Sequence, residues 1–235
     1  MIDFLVIADS HIEPARPFLQ GWKRLGQYCV EKKPRYIVHV GDVACLDSLA
    51  HYTSQRGDYT TDEELQWVER HIRALEEPIN SYNELRRASK HKMYRPIKVL
   101  CLGNHDIRKD CSEIKRVFEE HGWVVYDYLE PAVIEGITFC HCLPRRNSDL
   151  MCTTAEELLA TWHTTVVVGH SHVQDYAESY NVGSQQPIRA IKCPCFTNVP
   201  PKYTGFGYLA WPLGWLEIVS NPFEFTWRNI ECLWK

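Results

Sequence analysis

In 2-IDFLVIADSH-11 an aliphatic, β-branched run stops abruptly in a carboxylate and an imidazole. Such a run, bounded by a polar turn, reads as a buried strand. Two later stretches repeat the pattern: 35-RYIVHVGD-42 and 97-IKVLCLGNHD-106 each end a hydrophobic run in a polar cluster. Between the first two, residues 14 to 33 have helical spacing, with Pro14 and Pro17 at the start, where proline is tolerated. Strand, helix, strand at this separation implies a right-handed parallel crossover and an α/β fold. Ligands of open α/β sheets bind beyond the carboxyl ends of the strands. The clusters 9-DSH-11, 41-GD-42 and 103-GNHD-106 are therefore expected to converge.

Further along, residues 46 to 60 read as an irregular polar loop. Thr60 or Thr61, with Glu63 or Glu64 behind it, then reads as a capping box. Leu65, Val68, Ile72, Leu75, Ile79, Tyr82 and Leu85 make one apolar stripe of a long helix, which Pro78 should kink or split. A basic patch, 86-RRASKHKMYRPIK-98, leads into the third strand. Helices are expected at 112–121 and 154–162. Strands are expected at 123–126, 132–134, 137–141, 164–169, 188–192, 206–211, 214–219 and 223–231. With no repeat and no low-complexity linker, residues 1–235 read as one domain carrying a helical insertion around 46–95.

Composition sets bounds. The chain has 235 residues, enough to bury a core, with 45% hydrophobic and 24% charged residues, ordinary globular values. A net charge of −4 argues against broad electrostatic binding of nucleic acid, though not against a local basic groove. No stretch approaches the roughly 18 apolar residues of a membrane span. The N-terminal run lacks a basic leader and a small-residue cleavage site, so it reads as strand and not as signal peptide. A cytoplasmic protein with reduced thiols is the expectation for its ten cysteines. Cys140, Cys142, Cys193 and Cys195 could in principle form a four-thiolate zinc site, but buried structural cysteine is the default.

The chemistry lies in the residue types. Asp9, His11, Asp42, Asn104, His141, His170 and His172 are oxygen and nitrogen donors of intermediate hardness. They suit Mn²⁺, Fe or Zn²⁺ better than Ca²⁺ or Cu⁺. Seven donors are too many for one four-coordinate ion and about right for two ions sharing a bridging carboxylate. The i, i+2 spacing of Asp9/His11 and His170/His172 would point both side chains to one face of an extended backbone.

The ordered set Asp9-Ser10-His11, Gly41-Asp42, Gly103-Asn104-His105-Asp106, His141 and Gly169-His170-Ser171-His172 resembles the signature of the calcineurin-like metallophosphoesterases. Its compact length is similar to that of small bacterial and phage members. The resemblance implies a sandwich of two mixed β-sheets flanked by helices. It implies that Asp9, His11 and His172 hold one divalent ion, that Asn104, His141 and His170 hold a second, and that Asp42 bridges them. Mn²⁺ is the first candidate, with Fe, Zn²⁺ or Ni²⁺ as others. His105 would give a proton or hydrogen bond to the phosphate or the leaving group. The implied reaction is phosphoester hydrolysis, as phosphatase or phosphodiesterase, by a hydroxide bridging ions roughly 3.5–4 Å apart. The substrate would be a small molecule, a nucleotide or a nucleic acid. The family's GD-x-x-D pattern is broken: Cys45 stands where an acid usually orients the catalytic histidine, and Asp47 lies two residues further on.

Two alternatives stand beside this reading: a nuclease acting on DNA or RNA, and a non-enzymatic scaffold of the same fold. Arg108, Lys109, Arg145 and Arg146 could reach a substrate phosphate or be solvated. The basic patch could guide a nucleic-acid strand if it faces the cleft. The aromatic run 203–215 reads as packing, with a base-stacking platform as the alternative. His39 reads as an ordinary core or surface residue, and His51, His71, His91, His121 and His163 as solvated or helix-face residues.

Overall fold

In a computed structural model, residues 2–50, 58–110, 112–181, 183, 185–198 and 211–234 are described. The expected strand at 206–211 falls almost wholly outside them, as does His51.

The first strand, β1 (Phe4–Ile7), runs through α1 (Leu19–Lys32) to β2 (Tyr36–His39). The long helix α2 (Thr61–Ala88) then leads to β3 (Ile97–Cys101), α3 (Glu113–Glu120) and β4 (Val124–Tyr126). β1 to β4 pair in parallel. The chain continues through β5 (Ala132–Ile134), β6 (Ile137–Cys140), α4 (Ala155–Trp162), β7 (Val166–Val168), β8 (Asp175–Asn181), β9 (Gln186–Lys192), β10 (Gly214–Ser220) and β11 (Phe223–Asn229). One sheet has the order β11-β10-β1-β2-β3-β4, the other β5-β6-β7-β9-β8. Both are mixed, so the fold is the expected α/β sandwich.

Strand alternation assigns the faces. Phe4 and Val6 of β1, with Val38 and Val99, pack against Phe139, Val167 and Ile191 of the second sheet. Leu5, Ile7 and Ile37 turn the other way onto Trp22, Leu25, Val68 and Ile72 of α1 and α2. Val166, Val168 and Ala190 pack under Leu158 and Leu159 of α4. Successive residues of a strand thus serve two cores.

Three expectations are corrected. α1 begins at Leu19 and not near residue 14, because Pro14 and Pro17 bias the residues before them away from helix. α2 runs unbroken through Pro78, with the full Thr60/Glu63 capping box at its start. Its stripe Leu65, Val68, Ile72, Leu75 and Ile79 is buried on both sides of the proline, and that packing outweighs one missing backbone bond. His71 is not on the solvated face: it is fully buried. Its Nδ1–H donates to the Trp67 carbonyl at 2.6 Å, and its Nε2 accepts from the Phe18 N–H at 2.9 Å, pinning the entry to α1.

Burial pushes the His71 imidazole down to about 4. In the unfolded chain it would titrate near 6.5. Between these values the unfolded state holds the extra proton, so the stabilisation is complete above about 6.5 and is lost as pH falls through about 4. Chemical denaturation from pH 7 to 4.5 should show wild type losing up to ~3 kcal/mol more than His71→Gln. Equal slopes for the two proteins would show that His71 does not carry the effect.

Candidate metal centre

Asp9 and His11 follow β1, Asp42 follows β2, Asn104 follows β3, His141 follows β6, and His170 and His172 follow β7. The structure brings all seven together, in two groups. In the first, His11 Nε2 lies 3.1 Å from His172 Nε2, and His172 Nε2 lies 3.4 Å from Asp9 Oδ1. In the second, His141 Nε2 lies 3.1 Å from Asn104 Oδ1 and 3.1 Å from His170 Nδ1. Asp42 Oδ2 belongs to both, at 3.3 Å from His141 Nε2 and 3.9 Å from His11 Nε2.

The strands do not aim these side chains in the expected way. Asp9, His11, Asp42, His170 and His172 all have left-handed backbones, with φ of 48°, 42°, 51°, 70° and 56°. The extended i, i+2 explanation is therefore wrong. The strands end at Ile7 and Val168, and the donors sit in the turns beyond. His170 and His172 consequently diverge to different groups. Non-glycine residues in this region are strained, and they persist only where the surroundings over-determine them.

Those surroundings are visible. A Cβ on Gly103 would lie 2.2 Å from Asp42 Oδ1, and one on Gly169 would lie 2.8 Å from Asp9 Oδ2, so these glycines admit the carboxylates. The buried carboxylate of Asp106 accepts from the N–H groups of Gly103 (2.8 Å), Val43 (2.9 Å) and Ala44 (3.4 Å), tying the β2 turn to the β3 turn. His39 Nδ1 accepts from the Gly41 N–H at 3.1 Å, which leaves its Nε2–H to donate to Ser10 Oγ at 2.8 Å. His39 is fully buried and braces the β1 turn against the β2 turn.

The donor chemistry fits cations. His141 Nδ1–H donates to the Val40 carbonyl at 2.8 Å, so its Nε2 lone pair faces Asn104 Oδ1, His170 Nδ1 and Asp42 Oδ2. An imidazole fixed in this way is the usual metal-binding tautomer. Burial alone would raise Asp42, yet His141, His105 and His11 hold it well below the ordinary carboxylate range. Burial likewise opposes the lowering of Asp9, which His172 and His141 outweigh. Burial pushes His11 down to about 3. For His141 burial is outweighed by the charge and hydrogen bond of Asp42, which carry it up to about 9.

His105 lies at the edge of the first group, its ring 4.9 Å from that of His11. Its backbone N–H donates to Asp42 Oδ1 at 2.9 Å, and its Nδ1–H donates to the Cys45 carbonyl at 3.1 Å. The Cys45 backbone thus occupies the orienting position where the sequence lacks an acid. Arg108 donates to that same carbonyl at 2.8 Å and to Asp47 Oδ1 at 3.3 Å, and its Nη2 stands 3.4 Å from His105 Nε2. Burial lowers the His105 pKa, and Arg108 adds to the effect against the pull of Asp42.

Other expectations resolve differently. Arg145 donates to Glu157 of α4 at 2.8 Å. Among the described residues no four-thiolate group forms. Cys142 instead lies beside His141 and His170, and Cys45 beside Glu13 and Asp47. Trp211, from the aromatic run read as packing, lies tilted at 52° against His172 with ring centroids 3.8 Å apart, and 6.3 Å from His11. No spacing rule points to it.

The sequence model of the family described as calcineurin-like phosphoesterase matches residues 2–184. Among solved structures the chain is similar to Pseudomonas putida nuclease MPE, with 16% identity, 81% of this chain and 72% of that one covered, and a TM-score of 0.37. It is also similar to TT1561 of Thermus thermophilus, with 8% identity, 98% and 100% covered, and a TM-score of 0.48. No curated protein matches the chain.

Replacing Asp106 by Asn puts an amide N–H₂ against backbone N–H groups. The variant should lose about 1–3 kcal/mol of stability and retain less Mn²⁺ after gel filtration, read by denaturation and by elemental analysis. Unchanged stability and metal retention would show that the brace between the two turns is dispensable.

Proposed function

The chain belongs to the calcineurin-like phosphoesterase family, and from this premise we propose that it hydrolyses phosphoester bonds at a centre of two divalent metal ions. The observation that carries the reading is Asp42 Oδ2, common to both donor groups at 3.3 Å and 3.9 Å from their imidazoles. Asp9, His11 and His172 would hold one ion, Asn104, His141 and His170 the other, with Asp42 between them. The mixed oxygen and nitrogen donors suit Mn²⁺ first, then Fe, Zn²⁺ or Ni²⁺. Bound ions would supply Lewis acidity, neutralising phosphoryl oxygens and acidifying water.

The side chains around them do the rest. Asn104 is neutral, so the second group carries less negative charge than a carboxylate would give it. His105 is held through its backbone N–H by Asp42 and through its ring, with Nδ1 committed to the Cys45 carbonyl. Its Nε2 is then the atom that passes a proton to the leaving oxygen. The neighbouring Arg108 charge disfavours the imidazolium, which makes that imidazolium a stronger acid once formed. Arg108, 3.4 Å from His105 at this edge of the site, is also a cation that could meet a substrate phosphate. The convergence of all seven donors disfavours a purely structural scaffold.

Mn²⁺-supplemented hydrolysis of mono-aryl and bis-aryl phosphates tests the proposal and separates monoester from diester preference. Asp42→Asn should lose bound metal together with turnover. His105→Ala should keep its metal and lose about 10²–10⁴-fold in turnover. An emptied centre in His105→Ala would overturn the division of roles, and full activity in Asp42→Asn would overturn the centre itself.

A further inference from the structure

The segment 86-RRASKHKMYRPIK-98 carries six lysines and arginines and no acid. It does not face the metal centre. Arg95 and Pro96 immediately precede β3, and Pro34 and Arg35 immediately precede β2, whereas the metal-binding turns follow those same strands. The patch therefore lies about one strand length, roughly 15 Å, from the centre, at the opposite end of the sheet.

Folding brings the turn after α1 against this segment. Lys33, Arg35, Arg86, Lys92 and Arg95 line a groove of about 640 Å³ together with Tyr82, over Tyr94 and Met93. No carboxylate lines it. Arg35 is paired with Glu135 and Asp3 outside the groove. The other four cations have no carboxylate at ion-pair distance among the described residues. Lys33 Nζ lies 5.2 Å from the Tyr82 ring centroid and the Arg86 guanidinium 5.8 Å, and Arg86 Nε donates to the Lys92 carbonyl at 3.1 Å. A chain of net charge −4 thus holds four cations without carboxylate partners along one groove, two of them within 6 Å of the Tyr82 ring centroid.

We propose that this groove binds the phosphodiester backbone of a single-stranded nucleic acid. Its cations come from the turn after α1 and from both ends of the 86–98 segment, and Lys33, Arg35, Lys92 and Arg95 are solvent-exposed, not gathered about one buried point. That distribution matches a chain of phosphates better than a single anion. Tyr82 and Met93 offer apolar surface to unstacked bases, the usual partner of such cations in strand-binding grooves. Binding here needs neither the metals nor His105, so it stands or falls apart from the hydrolytic reading.

The test is fluorescence anisotropy of a labelled oligothymidylate of about twelve nucleotides, with EDTA present and the full chain as receptor. Binding is expected at about 50 mM salt, weakening as salt rises. The variant Lys33→Ala/Arg86→Ala/Arg95→Ala should bind at least about tenfold more weakly and with a shallower salt dependence. It should keep the parent's melting curve and aryl phosphate hydrolysis. Should the triple variant melt early, Lys92→Glu and Arg95→Glu, taken singly at exposed positions, replace it with the same expected loss. Asp42→Asn should bind the strand as the parent does. No binding at low salt, or equal binding by folded groove variants, overturns the proposal. Displacement by inorganic tripolyphosphate at equal phosphate concentration also overturns it, in favour of a small-anion site.

Discussion

A buried carboxylate surrounded by imidazole lone pairs is the constraint to which the rest of this structure answers. Asp42 has almost no exposure, and neither do Asp9, His11 and His141. Groups of this kind are costly to remove from water unless charge and hydrogen bonding compensate. Each feature around them limits that cost or fixes a geometry: the left-handed turns, the two glycines beneath the carboxylates, the Asp106 carboxylate across two turns, and His39 between Ser10 and Gly41. The sandwich core carries the burial energy, and the turns beyond its strands carry the strain.

Much of this was legible in the residues. The apolar runs at 4–7, 36–39 and 97–101 have no plausible reading but strands, and the polar clusters behind them gave the donors. Legibility stopped where tertiary context decides. β8, 175-DYAESYN-181, pairs among the described residues with β9 alone and is largely exposed, so it lacks the hydrophobic run that marks the inner strands. His71 looks like any polar residue on a long helix, and only the approach of Phe18 and Trp22 makes it core. The i, i+2 histidines suggested an extended backbone, because alternation is the simplest way to align two side chains. The chain instead uses αL turns, which no spacing in a single sequence reveals.

The orientation of His105 shows how a missing motif residue can leave a side chain's placement intact. The sequence offers Cys45 where an acid is usual, and Asp47 as a substitute. The structure uses neither side chain directly. A backbone carbonyl accepts the ring proton, and Asp47 acts one step removed, through Arg108. A carbonyl is available at every residue, so holding the His105 ring in this way makes no demand on the side chain at position 45, although that side chain is itself buried against His11.

The two halves of the centre belong to different sheets. Asp9, His11, Asp42 and Asn104 hang from the strands of one, and His141, His170 and His172 from those of the other. An ion held among them would therefore be a rivet through the open rim of the sandwich, added to an interface that is mostly apolar, with a few polar ties such as Trp227 Nε1–H to the Lys192 carbonyl at 3.2 Å. Were the proposed ions bound there, their removal by a chelator would take away a tie between the two layers as well as the Lewis acid.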